Sequence, residues 1–161
     1  MVRIIPLGGL GEIGLNMMVF ESGSSAIVVD AGLMFPEDHM LGVDFVIPDL
    51  SYIRAIKSRI QGVVLTHAHE DHIGALPFLL REVDAPVFGT AFTLGMVRQK
   101  LAELEMNAPA GLHLVSPAAP LRLGAFELDF IQVGHSVVDG VGAAIDTPDG
   151  LVVHTGDFKI S

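Results

Sequence analysis

The apolar positions of this 161-residue chain fall into three zones with different periods. In the first, residues 2–7, 15–21 and 26–30 are short apolar runs. The turn Ser22-Gly23-Ser24-Ser25 separates the last two, so the zone predicts three strands in a meander. The middle zone switches to helical spacing. Residues 50–60, 73–81 (with Pro77 near the start) and 91–106 read as helices, and residues 62–65 and 86–88 as short buried strands between them. The last third returns to strands over 126–133, 141–146 and 151–154, with a turn at Pro148-Asp149-Gly150. Residues 31–48 form an irregular stretch longer than a connection requires. Strands at both ends with helices between predict an α/β (α+β) architecture, sheet covered by helices, in one domain.

The run Gly8-Gly9-Leu10-Gly11-Glu12-Ile13-Gly14 follows the first strand. Gly9, Gly11 and Gly14 fit G-x-G-x-x-G, with Asp30 at the distance of a ribose-binding acid. The periodicity rejects that reading. A dinucleotide site needs a helix after the glycines to offer its N-terminus to the pyrophosphate, and the residues after Gly14 are strand-like. Two readings of the loop stay open. Either its backbone passes close to a functional pocket, lined by Glu12 and Asn16, or it is a plain tight connection.

Composition narrows the classes further. Half of the residues are apolar, which excludes disorder, and the length suits one domain with a core. No apolar run reaches about 18 residues, so no membrane span is expected, and no secretory signal is evident. There is no cysteine, hence no disulfide, no thiolate ligand and no Cys nucleophile, which points to the cytoplasm. The net charge of −10 argues against unaided binding of nucleic acid. Two bound divalent cations would bring −10 to −6.

The chemistry concentrates in Thr66-His67-Ala68-His69-Glu70-Asp71-His72-Ile73-Gly74-Ala75. Imidazole nitrogens and carboxylate oxygens are the donors that suit Zn²⁺, Mn²⁺ or Fe. In an extended segment His67 and His69 point the same way and can grip one ion. A helix beginning around Asp71 turns that residue and His72 toward a second position. Three histidines and an aspartate this close are costly to bury without a metal.

H-x-H-x-D-H resembles the signature of the metallo-β-lactamase superfamily. Asp30 in "VVDAG", His135 in "VGHSVVDG" and Asp157 in "HTGDFKI" follow in the order of its other motifs. More narrowly, "GGLGEIGLNM", "DAGLMFPEDHMLGVDFVIPD", "LTHAHEDHIGALPFLL" and "VHTGDFKI" resemble the ribonuclease J family of the β-CASP group, over essentially the whole chain. The resemblance implies an αββα sandwich of which residues 1–161 are the N-terminal portion. The inserted β-CASP domain, the rest of the lactamase-like domain and the C-terminal domain would lie outside this sequence. It also implies a dinuclear zinc nuclease, acting on RNA as endonuclease and 5′-to-3′ exonuclease through a hydroxide held between the metals. His67, His69 and His135 would hold one metal, Asp71 and His72 the other, and Asp157 both, so that Asp71, His72 and Asp157 act catalytically through the hydroxide. Asp30 would orient a ligating histidine, and Ser136 would line the pocket. Val137-Val138-Asp139 stands where the family pattern leads one to expect Ile-Pro-Asp.

Of the remaining histidines, His39 and His113 read as surface or structural residues. His154 reads as packed behind the ligands. Most RNA contacts would fall to regions absent here, so the chain alone is expected to be weakly active or inactive, with self-association a further expectation. The alternatives are hydrolysis of a small thioester or lactone by the same metal loop, or a non-catalytic fragment.

Overall fold

The computed structural model describes residues 1–134 and 136–160. The N-terminal runs form β1 (Val2–Gly8), β2 (Met17–Ser22) and β3 (Ser25–Val29), an antiparallel meander. From β3 the sheet continues in parallel through β4 (Ile60–Val64), β5 (Val87–Gly89) and β6 (Leu112–Leu114), giving the order β1-β2-β3-β4-β5-β6. Parallel pairing needs crossovers, and these carry α1 (Ser51–Ile56), α2 (Glu70–Ile73), α3 (Leu76–Glu82) and α4 (Ala91–Glu103). A second, antiparallel sheet follows: β7 (Leu121–Leu123), β8 (Phe126–Gln132), β9 (Val141–Thr147) and β10 (Gly150–His154), in the order β10-β9-β8-β7.

The layers are therefore helix, sheet, sheet. Strand β3 is buried at every position, and its side chains alternate between two cores. Ala26 and Val28 join the helices' apolar faces, including Ile53, Leu79, Leu94 and Val97. Ile27 and Val29 face the other way, against Phe126, Leu128, Phe130 and Ile145 of the second sheet. On the far side of that sheet Ile131, Leu151 and Val153 are exposed.

Several boundaries differ from the sequence reading. The expected helix over 50–60 ends at Ile56 and tightens into a 3₁₀ turn at Lys57–Arg59, because Ile60 already pairs with Ala26 as the first residue of β4. The expected helix over 73–81 is two pieces. Pro77 has no amide to donate, so it sits in the first turn of α3, and a break at Gly74-Ala75 precedes it. Helix α4 stops at Glu103, where the Met106 amide turns back to the Leu101 carbonyl at 2.9 Å and Glu105 takes φ 52°. Strands β6 and β7 have three residues each, too few for a period to register in sequence. No helix follows the glycine run; β2 does.

Candidate metal centre

The pairing of β3 with β4 in parallel, Val29 opposite Val64, brings the segments after both strands to one edge of the first sheet. The amide of Val141, at the start of β9, bonds the Thr66 carbonyl at 2.9 Å and fastens the second sheet to the same edge. Asp30, one residue past β3, takes φ 63°, a left-handed backbone that L-residues other than Asn and Asp rarely adopt. Its amide still continues the ladder to the Val64 carbonyl at 2.8 Å.

That turn sets a buried carboxylate beneath the histidines. Asp30 Oδ1 accepts the Thr66 amide at 2.8 Å, and Oδ2 accepts the Thr66 hydroxyl at 2.8 Å and His72 Nδ1–H at 2.7 Å. With its proton given to Asp30, the Thr66 hydroxyl accepts His67 Nδ1–H at 3.0 Å. One carboxylate thus orients two imidazoles, His72 directly and His67 through Thr66. Each presents Nε2 outward.

The outward atoms converge. His72 Nε2 lies 3.3 Å from Asp157 Oδ2 and 3.7 Å from Asp71 Oδ2. His67 Nε2 lies 3.1 Å from His69 Nδ1 and 3.9 Å from Asp157 Oδ2. The rings of His67 and His72 lie with centroids 4.0 Å apart, tilted by 46° to one another. One donor atom each of His67, His72 and Asp157 fits within 4.8 Å of the others.

Electrostatics separates these two rings. Burial and the neighbouring His72 hold His67 down at about 4, so it is neutral at pH 7. Burial also disfavours charge on His72, but the Asp30 hydrogen bond and the charges of Asp30, Asp71 and Asp157 outweigh it and raise the ring to about 9. Burial likewise disfavours the Asp30 anion, and the bond from His72 overrides it, holding Asp30 below its ordinary range. In the absence of metal, a proton on His72 occupies a place suited to a cation. Nitrogen and carboxylate donors around it, with Nδ1–H groups engaged behind, form a set that fits Zn²⁺, Mn²⁺ or Fe.

The other candidates lie as follows. His135 falls outside the described residues; the strand-to-strand connection that carries it passes the site at Gly140, where a Cβ would stand 3.8 Å from His67 Cβ. Ser136 is exposed. A cleft of about 380 Å³ opens beside the cluster, lined by Asn16, Asp30, His72, His154 and Asp157 among others. Glu12 is exposed and accepts the Gly9 amide at 3.1 Å within its own loop. His154 Nδ1 accepts the Gly156 amide at 3.1 Å, and its ring meets Phe20 edge-on. His39 is exposed beside Glu37, and His113 stacks on Phe88. Two contributors escaped the sequence reading. Thr66 had a signal, a hydroxyl directly before the first histidine at the end of a buried strand. The pairing of Glu70 with Lys100 Nζ at 2.7 Å, which ties the metal loop to α4, spans 30 residues and leaves none.

Comparison with known proteins identifies the family of the chain. Residues 10–161 match the family described as the metallo-beta-lactamase superfamily. Ribonuclease J of Helicobacter pylori (strain ATCC 700392 / 26695) is 48% identical over 99% of this chain and 23% of its own length. Ribonuclease J of Synechocystis sp. (strain ATCC 27184 / PCC 6803 / Kazusa) is 45% identical over 99% of this chain and 25% of its own length. The chain thus spans about a quarter of the curated relatives it matches. Among solved structures, the metallo-beta-lactamase fold protein YhfI from Bacillus subtilis superposes with a TM-score of 0.68 at 19% identity, over 97% of this chain and 62% of that one.

Proposed function

Since the chain belongs to the metallo-beta-lactamase superfamily, we propose that it carries the metal loop of a ribonuclease of the ribonuclease J type, a divalent-metal hydrolase of RNA phosphodiesters. The observation that carries this reading is 48% identity to a ribonuclease J along 99% of the chain. The nuclease activity belongs to a larger protein in which this segment supplies one part of the lactamase-like domain. The β-CASP insertion, the returning half of that domain and most RNA contacts come from elsewhere. Zinc is the metal of choice for the imidazole-rich set, and the compartment is the cytoplasm. Among the described residues, no helix is long and apolar enough to cross a membrane.

When bound, a pair of divalent ions lowers the pKa of water and offsets charge that builds on the phosphorus oxygens. His67, His69 and His135 would hold one ion and Asp71 and His72 the other, with Asp157 available to both. The protein's own residues prepare this. Asp30 and Thr66 fix the rings so that Nε2 of His67 and His72 needs no search for its orientation. The neutral state of His67 leaves it ready to ligate, whereas His72 must give up a proton. Glu12, Asn16 and Ser136 belong to the approach to the site.

The acidic balance favours a second reading, hydrolysis of a small thioester or lactone. A chimera separates the two: this chain replaces the matching segment of the Helicobacter pylori ribonuclease J. Folded chimera should cleave 5′-labelled single-stranded RNA, lose that activity with chelator or with His72→Ala, and leave thioesters intact. Thioester turnover without RNA cleavage would overturn the proposal. The isolated chain should cleave RNA weakly or not at all.

A further inference from the structure

The glycine loop between β1 and β2 ends in a residue whose contacts point in one direction. The Asn16 amide donates to the Asp71 carbonyl at 3.1 Å. Its side-chain Nδ2 donates to the same carbonyl at 3.0 Å and, with its other hydrogen, reaches Asp71 Oδ2 at 3.4 Å. The Asn16 carbonyl accepts the Gly32 amide at 2.9 Å. Asn16 therefore joins three segments: its own loop, the stretch after Asp30, and the metal loop.

The approach is close enough to exclude side chains around it. A Cβ on Gly32 would stand 1.7 Å from the Asp71 carbonyl oxygen and 2.8 Å from the Asn16 nitrogen. A Cβ on Gly9 would stand 2.5 Å from Asn16 Oδ1, and Gly9 itself has φ +87°. Leu15, directly before Asn16, is held at φ 56° although it is not glycine. Backbone in that region persists only where the surroundings over-determine it. What the strained turn delivers is one amide group, set against one carboxylate.

Asp71 needs such a partner. It is half-exposed, and its Oδ2 stands 3.7 Å from His72 Nε2, a distance at which nothing fixes the torsion of the carboxylate. We propose that Asn16 is a positioning residue for Asp71: its side-chain amide aims the Asp71 carboxylate at the metal shared with His72, and the Gly8–Gly14 run exists to bring Asn16 there. This rests on the metal reading given above. It differs from Asn16 merely lining the cleft, because the residue acts through Asp71 rather than on substrate. Asparagine is the suited residue. Its amide donates to both Asp71 oxygens in reach, whereas aspartate of the same size would donate to neither and would set two carboxylates side by side.

Zinc affinity of the purified chain, measured by competition with a chromophoric chelator, tests this in wild type, Asn16→Ala, Asn16→Asp, Asp71→Asn and the Asn16→Ala/Asp71→Asn double variant. Asn16→Ala should weaken the weakest resolved zinc site by roughly 10- to 100-fold, as loss of a ligand's outer partner does, and Asn16→Asp by at least as much. In the Asp71→Asn background Asn16→Ala should change nothing further. Asn16→Asp keeps the side-chain size and the main-chain bond, so it reports even where Asn16→Ala unfolds, and circular dichroism of the metal-free variants checks this. Unchanged affinity in a folded Asn16→Asp variant, or an equal loss with and without the Asp71 carboxylate, would overturn the proposal while the metal reading stands. A wild-type chain that binds no zinc would overturn both.

Discussion

Asp30, Thr66 and His67 keep 1% of their surface exposed and His72 keeps 2%, at the ends of strands packed on both faces. Asp157 lies beyond β10, just past the sheet whose outer face is bare, and 45% of its side chain meets solvent. Both regions face the same few ångströms of space. The first-sheet region is a finished scaffold: His67 and His72 are held from behind, and the orienting carboxylate itself accepts three bonds. The second-sheet region contributes a carboxylate that is open to solvent over 45% of its side chain. The first region is closed to solvent, and the second meets it at the half-exposed Asp157, whose Oδ2 lies 3.3 Å from His72 Nε2. A site built this way should tie its stability to the first region and its metal affinity to both.

The largest effect should separate the two aspartates. Asp30→Ala leaves a buried imidazolium and a buried hydroxyl without their common partner, and should cost about 3–5 kcal/mol of folding stability. Asp157→Ala should move stability by only about 0.5 kcal/mol yet weaken zinc binding clearly. Urea denaturation of the metal-free chain beside a zinc titration reads both. Equal destabilisation by the two variants would break the comparison.

A smaller effect lies in the pH dependence of the metal-free chain. His72 is raised from 6.5 to about 9, so its contribution is complete below pH 6.5 and fades as pH rises through 9. His67 is lowered from 6.5 to about 4, so the unfolded chain takes up a proton first and stability falls as pH drops from 6.5 toward 4. Asp30, lowered from 3.8, adds a further loss below that value. Stability should therefore peak near pH 6.5. Asp30→Asn should flatten the alkaline limb, which urea midpoints between pH 4 and 9 would reveal.

The smallest effect concerns the bare face. Leu151 is 65% exposed, so Leu151→Lys should leave stability, read by urea denaturation, within about 0.5 kcal/mol. Strong destabilisation would mean that the face is packed rather than open.

How much of this was legible beforehand depended on the distance over which each interaction acts. The strands of the first meander and the cluster at 67–72 lie within short windows, where period and residue type carry the information. Asp30 and Asp157 gained meaning only from their order relative to that cluster, since an aspartate after a strand is ordinarily a turn residue. The strand-like residues after Gly14 were enough to reject a dinucleotide site. They were not enough to show that Asn16 meets Asp71, 55 positions away, because that contact depends on how β2, β3 and β4 stack. The break between α2 and α3 was also half visible: Pro77 marked it, but helical spacing runs through Gly74 without interruption.

Zinc retention tests the central claim most directly. After equilibration with zinc at pH 7 and exhaustive dialysis, wild type and His39→Ala, a variant of an exposed histidine, should retain the metal, and His72→Ala should lose it. Binding to wild type should also release about one proton, from the ring held at about 9. Equal retention by all three proteins, or none by wild type, would contradict the account.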